Sequence, residues 1–248
     1  MTNLVKSEAE IELMRRSGAM LRQALAVVAA AAKPGVTGTE LDRLARDTIV
    51  AAGGEPGFLG FNDYPATICL SVNDQVVHGI PGKAALQPGD VVSIDIGVRY
   101  KGWNTDAART VVLQSTEPAD DHLVAVAQQA LDAGIDTVRD GVRLGDVQAA
   151  IQAVIDAAGF GNVTSLTGHG IGRGLHEPPS IPNAGTKGTG PILQAGMVIC
   201  LEPMITRGTG KVVTAPDGWT IATADGSRAA HVEDTILVTR DGAEILTR

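Results

Sequence analysis

Acidic side chains recur inside four strand-like segments of this 248-residue chain. Asp95 lies in VVSIDIGV, Asp106 in WNTDAARTVVL, Glu202 in VICLEPM and Glu233 in HVEDTILV. Strands disfavour acidic residues, and a buried carboxylate without a cation takes up a proton instead. Arg109 is near Asp106, but almost no other lysine or arginine lies next to these acids. Because two divalent ions balance four carboxylates, the pattern favours a dinuclear metal site over four solvent-facing acids.

A glycine-rich segment supplies histidines that can join this site. The run GHGIGRGLHEPP, residues 168–179, contains His169 and His176 in a composition that no regular helix tolerates. Glycine lets a backbone approach a site closely, so one histidine can bind metal while the other faces a substrate. Three other motifs fail on spacing: the HExxH metal helix, the GxGxxG dinucleotide loop and the GxSxG nucleophile elbow.

The composition is that of an ordinary globular protein. Hydrophobic residues make up 44% and charged residues 19%, and the formal net charge is −8. That acidity, without a basic block, argues against nucleic acid or an anionic membrane as a partner. The two cysteines, Cys69 and Cys200, form no disulfide framework, and the N-terminus is too charged for a signal peptide. We therefore expect a cytoplasmic protein.

The predicted helices and strands that must position these residues occur in the same order twice along the chain. Ser7 caps a first predicted helix and Thr39 a second, and short β-branched runs follow. Helical patterns return at about 119–138 and 144–158, again followed by strand-like runs. This mixture predicts an α+β fold.

A faint sequence repeat accompanies the repeated order. Gly35 in PGVTGTEL aligns with Gly141 in DGVRLGDV, an offset of 106 residues (141 − 35). Two alanine-rich helices can look alike by chance, yet the order of elements repeats as well. We therefore favour two related halves, about 1–115 and 116–248, joined across one sheet with the site between them.

Together these segments resemble the type I methionine aminopeptidases over nearly the whole chain. The resemblance rests on NDQVVHGIP, VSIDIGV followed by DAART, GHGIGRGLHEPP, LEPM and HVEDTILVT, in that order. It implies a "pita-bread" fold, in which helices cover a curved antiparallel sheet with an internal pseudo-two-fold, and a single catalytic domain over residues 1–248. The implied ligands of two divalent ions are Asp95 for one ion, His169 and Glu202 for the other, and Asp106 and Glu233 as bridges.

The resemblance also implies an activity, the removal of the initiator methionine from nascent polypeptides with a small second residue. The two ions, Co, Mn, Fe(II) or Zn, lower the pKa of a shared water. Glu202 would shuttle the proton, His176 would stabilise the tetrahedral oxyanion, and His78 would contact the substrate near its peptide bond. The methionine pocket would be lined by Phe58, Phe61, Tyr64, Cys69 and Trp219. We expect a monomer that acts on nascent N-termini, with the ribosome as a further candidate partner.

The chain departs from the type I pattern in two motifs. Leu175 stands where the family usually has Phe, and the family's QxEH is replaced by His231-Val232-Glu233-Asp234. The HVED form is closer to prolidases and Xaa-Pro aminopeptidases, which makes their activity the runner-up. Against it, those relatives carry an extra N-terminal domain and a further histidine where this chain has Ser165. A pita-bread binding module without metals is the third alternative, and the presence of all five ligands disfavours it.

Strand alternation adds one hypothesis of our own. Cys200 and Glu202 share a strand face, as do His231 and Glu233. We therefore expect Cys200 and His231 to form walls of the site behind the ligands. The simpler alternative is that Cys200 fills space in the core.

Overall fold

Within residues 4–115 and 117–248, which the computed structural model describes, the chain forms four α-helices and fifteen strands. The helices are α1 (Glu8–Ala31), α2 (Gly38–Ala51), α3 (Pro118–Thr137) and α4 (Leu144–Ala158). The strands are β1 (Glu55–Pro56), β2 (Ile68–Val72), β3 (Gln75–Val77), β4 (Val91–Tyr100), β5 (Trp103–Val112), β6 (Gly161–Asn162), β7 (Thr167–Gly170), β8 (Glu177–Pro182), β9 (Val198–Leu201), β10 (Met204–Thr206), β11 (Val212–Thr214), β12 (Ile221–Thr223), β13 (Ala229–His231), β14 (Asp234–Val238) and β15 (Ala243–Ile245). Among these helices, none combines the length and apolar character that a membrane span requires.

Local sequence signals set where the first two helices begin. α1 begins after the predicted cap, where Ser7 and Glu10 form a capping box. The cap of α2 is Thr37, because its hydroxyl accepts a hydrogen bond from the Glu40 amide while the Glu40 carboxylate lies 2.9 Å from the Thr37 amide. The prediction of Thr39 as this cap is therefore wrong, since the glutamate three residues after Thr37 completes the reciprocal pair there.

Two larger sheets form the centre of the fold, and two smaller sheets flank them. One larger sheet has the order β1-β4-β2, with β5 paired to β4, and the other has the order β15-β14-β9-β7-β8. The smaller sheets are β13-β10-β6 and β11-β12-β3. Every pairing among the described strands is antiparallel. Because α1 packs on β4 and β5 while α3 and α4 pack together over the other sheet, each sheet has a helical cover and an apolar core of its own.

The predicted repeat has a structural counterpart in the loops before α2 and α4. Gly35 and Gly141 both have positive φ, +92° and +80°. Their amides donate to the carbonyl oxygens of Leu86 and Leu193 over 2.8 and 2.9 Å. Each loop leads into the second helix of its pair, and these helices begin 106 residues apart (144 − 38). Glycine at both positions follows from the left-handed backbone, which strains other residues.

Hydrogen bonds join the two larger sheets directly. Ala108 on β5 exchanges two backbone hydrogen bonds with Glu233, of 3.3 and 3.0 Å. Beside this pair, the Thr235 hydroxyl accepts from the Asp106 amide over 2.9 Å and donates to the Asp106 carbonyl over 2.7 Å. The Arg109 guanidinium donates to the Glu233 carbonyl over 2.6 Å. The seam between the sheets thus fixes the backbone of one predicted ligand from each half.

Candidate metal centre

The predicted site residues lie around one cavity of about 620 Å³. Its lining contains every predicted metal ligand, both predicted substrate histidines and the five predicted pocket side chains. These are Phe58, Phe61, Tyr64, Cys69, His78, Asp95, Asp106, His169, His176, Glu202, Trp219 and Glu233. The metal-site hypothesis requires these side chains to lie around one cavity. The role of each residue stays a prediction.

Strand register places the first two acids on one face of the β4–β5 hairpin. Asp95 pairs with Ala108, and Asp106 pairs with Gly97. Since residues two apart on a strand share a face and paired residues project together, both carboxylates face the same side. The absence of a side chain at Gly97 matters, because a Cβ there would lie 2.5 Å from the Phe58 ring. The hairpin therefore holds two carboxylates beside an aromatic side chain of the cavity.

Strand β7 brings His169 to the same cluster. Its Nε2 lies 3.6 Å from Glu202 Oε1, 3.9 Å from Asp106 Oδ2 and 4.0 Å from Glu233 Oε1. Its Nδ1 lies 3.0 Å from the Gly170 carbonyl oxygen, which makes Nδ1 the donor and leaves the Nε2 lone pair facing the carboxylates. Burial lowers the pKa of His169 to about 3, so the ring is neutral at neutral pH. A neutral imidazole in this orientation is suited to bind a metal ion.

Buried oxygen atoms in the cluster have no hydrogen-bond partner in the described part of the chain. They include Asp95 Oδ1, Asp106 Oδ1 and Glu233 Oε1. Ligand atoms of these three residues lie within 4.8 Å of one another. Buried carboxylate oxygens are costly unless a proton or a cation meets them. Carboxylate oxygens with an imidazole nitrogen form a donor set that fits divalent transition-metal ions.

The same burial acts against ionisation of the carboxylates when no cation is bound. It raises the pKa of Asp95 to about 6 and that of Glu202 to about 8. Burial, and after it the negative charges of neighbouring acids, raise the pKa values of Asp106 and Glu233 well above their usual range. A divalent cation opposes these causes, because it places positive charge where water is excluded.

We expect the metal-free protein to lose stability as the pH rises from about 7 to about 8.5. An acid whose folded pKa lies above its unfolded pKa stabilises the fold below the unfolded value and loses that contribution as the pH rises through the folded value. Glu202 titrates in this window, and Asp106 and Glu233 also have raised pKa values. The buried His78 and His169, with pKa values lowered to about 4 and 3, are neutral in both states above about pH 7 and add little slope.

Urea unfolding of the chelator-treated protein at several pH values across this window measures how the free energy of unfolding changes with pH. Saturating Mn(II) should abolish most of this pH dependence, because the bound ion keeps the ligands deprotonated in the folded state, as they already are in the unfolded chain. A metal-free protein whose unfolding free energy rises with pH would contradict the prediction.

Aromatic and histidine rings form much of the remaining lining. The His176 ring lies 4.3 Å from that of His169 and meets Phe61 edge-on at 5.3 Å, both between ring centroids. Tyr64 and Trp219 form a second edge-on pair at 5.0 Å. Edge-on aromatic contacts stabilise a fixed arrangement of rings. The cavity thus joins an apolar pocket to the carboxylate cluster.

Two further residues connect that pocket to the predicted ligands. Cys69 on β2 pairs directly with Asp95 on β4, so the apolar lining begins beside a carboxylate. His78 has a positive φ of +60°, an uncommon conformation that is typical of functional positions. Burial, and then His231 and His176, lower its pKa to about 4, which keeps the ring neutral.

Sequence reasoning missed the contacts that fix the glycine-rich segment. Lys6 Nζ lies 2.7 Å from Glu177 Oε2, with the two side chains 5% and 8% exposed. Glu177 Oε1 in turn accepts from the Gly174 amide over 2.8 Å. The Asn104 side-chain amide lies 3.0 Å from the Gly172 carbonyl. Lys6 and Glu177 are 171 residues apart, so no local signal in the sequence could reveal the pair.

Replacing Lys6 by Met should reduce the free energy of unfolding by about 3–5 kcal/mol, because it leaves the buried Glu177 carboxylate without its cation. Urea denaturation at pH 7 measures the loss. The double variant Lys6→Met, Glu177→Gln is the matched control and should recover part of it, since no buried charge is then left unpaired. A single variant within about 0.5 kcal/mol of the wild type would show that this ion pair contributes little.

The departures from the type I pattern lie in different places. Leu175 is buried and lines the cavity. Asp234 is fully buried outside the cavity lining, where it accepts hydrogen bonds from Arg109 (2.6 Å), Thr247 (2.8 Å) and Arg248 (2.6 Å). Asp234 therefore fixes the C-terminal residues against β5 and does not contact the cavity.

The two proposed wall residues also differ. His231 lines the cavity, whereas Cys200 is fully buried beneath it, with its Sγ 3.4 Å from the Thr235 hydroxyl. Ligand atoms of Cys200, His169 and Glu233 nevertheless lie within 4.8 Å of one another. The wall hypothesis for both residues stays a prediction.

Comparison with known proteins places this geometry in a family. The profile of metallopeptidase family M24 matches residues 12–240. A methionine aminopeptidase of Clostridium perfringens is 43% identical over 244 residues, which cover 98% of each chain. Methionine aminopeptidase 1 of Mycobacterium tuberculosis is 47% identical, over 98% of this chain and 94% of the relative.

Solved structures agree with the sequence relatives. A methionine aminopeptidase of Thermotoga maritima has a TM-score of 0.97 at 42% identity, over 98% of each chain. A prolidase of Pyrococcus furiosus has a TM-score of 0.82 at 22% identity, over 99% of this chain and 65% of the prolidase, which shows a shared fold alone. The α+β pita-bread prediction is confirmed. The chain belongs to metallopeptidase family M24, in its group of methionine aminopeptidases.

Proposed function

We propose that this chain is a metal-dependent aminopeptidase that removes the initiator methionine from polypeptides with a small second residue. The observation that carries the proposal is one cavity shared by a carboxylate–imidazole cluster and an aromatic pocket, with Cys69 paired to Asp95 where they meet. An unbranched apolar side chain fits a pocket of this kind, and the adjacent cluster lies where the scissile bond would follow. The names of the relatives support methionine as that side chain.

The proposed centre holds two divalent ions through Asp95, Asp106, His169, Glu202 and Glu233. Four carboxylates around one cavity support two ions, since two divalent ions neutralise four negative charges. When bound, the ions would lower the pKa of a water and polarise the substrate carbonyl. One nitrogen and many oxygens suit Co, Mn or Fe(II), and Zn is a further candidate.

Protein groups then supply the proton transfers and hydrogen bonds. Glu202 is the proposed proton acceptor, and it is the most exposed of the carboxylates near His169, at 13% against 5% for Asp106 and 2% for Glu233. His176 and His78 are proposed to donate hydrogen bonds to the substrate carbonyl and to the peptide bond. Burial lowers the pKa of both imidazoles, so each donates as a neutral ring.

The runner-up activity, cleavage of Xaa-Pro bonds, loses part of its support. It depended on the HVED sequence, in which His231 lines the cavity but Asp234 is held by Arg109 and Arg248 outside the cavity lining. A residue with no contact to the cavity gives no preference for proline in a substrate. A binding module without metals, the third alternative, would not explain why the carboxylates cluster around one cavity.

We propose that the enzyme acts in the cytoplasm on the N-termini of nascent chains, as a monomer. The two cysteines are free and buried, which suits a reducing compartment. Residues 1–248 are proposed to act as a single catalytic domain, because the ligands come from both sides of the seam. The ribosome is kept as a candidate partner, and sedimentation with purified ribosomes tests it.

Peptide hydrolysis by the metal-stripped protein, reassayed with each divalent ion, tests the proposed function. The substrates are Met-Ala-Ser, Met-Lys-Ser and Ala-Pro-Ala. We expect metal-dependent release of methionine from the first peptide alone, and the most effective ion names the usable metal. Release from Ala-Pro-Ala would establish the runner-up instead, and no release despite measured metal binding would favour a binding module.

A further inference from the structure

His231 places an imidazole ring without a hydrogen-bond partner inside the carboxylate cluster. The residue is 2% exposed, and both Nδ1 and Nε2 lack a partner among the described residues. Buried ring nitrogens are normally satisfied, so a pair of unsatisfied ones calls for a ligand. The ring lines the same cavity as the proposed metal ligands.

The backbone of His231 is held firmly in this position. Its amide lies 3.0 Å from the Thr110 hydroxyl and 3.3 Å from the Ser93 hydroxyl. Its carbonyl accepts from the Thr110 hydroxyl over 2.6 Å, and the two hydroxyls lie 2.8 Å apart. On the other side, His231 pairs with Met204 across β13 and β10. The imidazole is therefore presented by rigid elements of both halves.

The distances from His231 to the carboxylates match those from the proposed ligand His169. His231 Nε2 lies 3.6 Å from Glu202 Oε2 and 3.8 Å from Glu233 Oε2. The corresponding distances from His169 Nε2 are 3.6 and 4.0 Å, to the other oxygen of each carboxylate. Donor atoms about 2.1 Å from one ion lie roughly 3–3.5 Å apart, so modest closure on an ion brings either ring into range.

A role as a hydrogen-bonding support for a carboxylate fits less well. Hydrogen bonds from nitrogen to oxygen span about 2.7–3.2 Å, and both distances from His231 Nε2 exceed that range. The ligand atoms of His231, Glu202 and Glu233 lie within 4.8 Å of one another, which is the arrangement of donors around a common ion. The two histidines meet opposite oxygens of the same two glutamates, so they flank the cluster from two sides.

We propose that His231 donates a ring nitrogen to the metal centre, as a second histidine ligand beside His169. The inference rests on the metal centre of the proposed function and adds a sixth protein ligand to it. A second imidazole shifts the donor set toward nitrogen, which favours Co(II) and Zn(II) over Mn(II) relative to a centre with one histidine.

The test uses the full chain loaded with Co(II), the metal alone, and NMR of ring-labelled histidine. Histidines bonded to Co(II) give contact-shifted ring signals, whereas nearby unbound rings do not. We expect two such rings in the wild type, one in His231→Gln and one in His169→Gln. His122→Gln is the matched control, since His122 is exposed on α3 beside Phe160, and it should keep both signals.

Calorimetric titration with Co(II) gives an independent readout. Loss of a ligand should weaken the affinity of His231→Gln by at least about 10-fold, with His122→Gln unchanged. A single contact-shifted ring that persists in His231→Gln and disappears in His169→Gln would overturn the proposal, as would a failure to bind Co(II). The first of these results would leave the proposed peptidase function standing, because methionine release is measured separately.

Discussion

Asp106→Asn should abolish metal-dependent hydrolysis and at the same time make the metal-free protein more stable. The Asp106 side chain is 5% exposed, its Oδ1 has no partner among the described residues, and its Oδ2 lies 3.9 Å from His169 Nε2. As the proposed bridge between two ions, it cannot be replaced by an amide with one weak oxygen donor. We expect activity to fall by at least about 10³-fold, as ion binding and charge stabilisation are lost together.

The gain in stability has a separate physical cause. Burial, followed by the charges of Asp95 and Glu202, raises the pKa of Asp106 well above its usual range. A neutral amide has no proton to gain or lose and so avoids this unfavourable ionisation, and the backbone contacts to Thr235 remain. At pH 8, the free energy of unfolding of the metal-free variant should therefore exceed that of the metal-free wild type by about 1–3 kcal/mol.

Activity assays with saturating Co(II) and urea unfolding in chelator measure the two effects. Asp156→Asn is the matched control, because Asp156 is exposed on α4, and both of its values should equal those of the wild type. A variant that is active, or one that is less stable without metal, would mean that Asp106 is a structural residue.

The sequence predicted the parts of the site that break local rules. Asp95 and Asp106 were recognisable because carboxylates inside β-branched runs contradict strand preference, and His169 because glycines on both sides exclude a helix. The same reasoning located the repeat through Gly35 and Gly141, whose left-handed backbone leaves little choice of residue.

Features that depend on residues far apart in the chain could not be predicted from the sequence. The Lys6–Glu177 pair joins the segment before α1 to the glycine-rich segment, and only the packed fold brings the two side chains within 2.7 Å. Asp234 looked like a functional departure next to Glu233, but its position outside the cavity is set by Arg248, which the sequence alone could not place beside it. Strand alternation predicted that His231 and Glu233 share a face, but Glu233 lies between β13 and β14, and only the packed fold shows that both ring nitrogens of His231 lack a partner among the described residues. Alternation along a strand gives the face of a side chain, not its contacts.

Glu202→Gln should lower kcat by about 10³-fold while leaving the pocket and the fold intact. The Glu202 backbone is fixed by the Asn183 side-chain amide, which donates to its carbonyl over 2.9 Å, so the glutamine side chain should occupy the same place. Glutamine keeps one oxygen that can bind an ion, but it cannot accept a proton. Because the loss falls on the reaction step, KM for Met-Ala-Ser should change by less than about 5-fold.

The ligand and proton-transfer roles of Glu202 must be separated in this experiment. Metal content is measured beside kcat at saturating Co(II), so that a variant merely lacking metal is recognised. Glu202→Asp keeps a carboxylate and should retain more activity than Glu202→Gln, whereas a role in ion binding alone predicts similar losses at equal metal content. Glu55→Gln, at an exposed position, is the control.

Burial raises the pKa of the metal-free Glu202 to about 8, and the bound ion must lower this pKa before the group can accept a proton at neutral pH. A fully loaded Glu202→Gln with wild-type kcat would instead assign the proton transfer to another group that lines the cavity, such as His176.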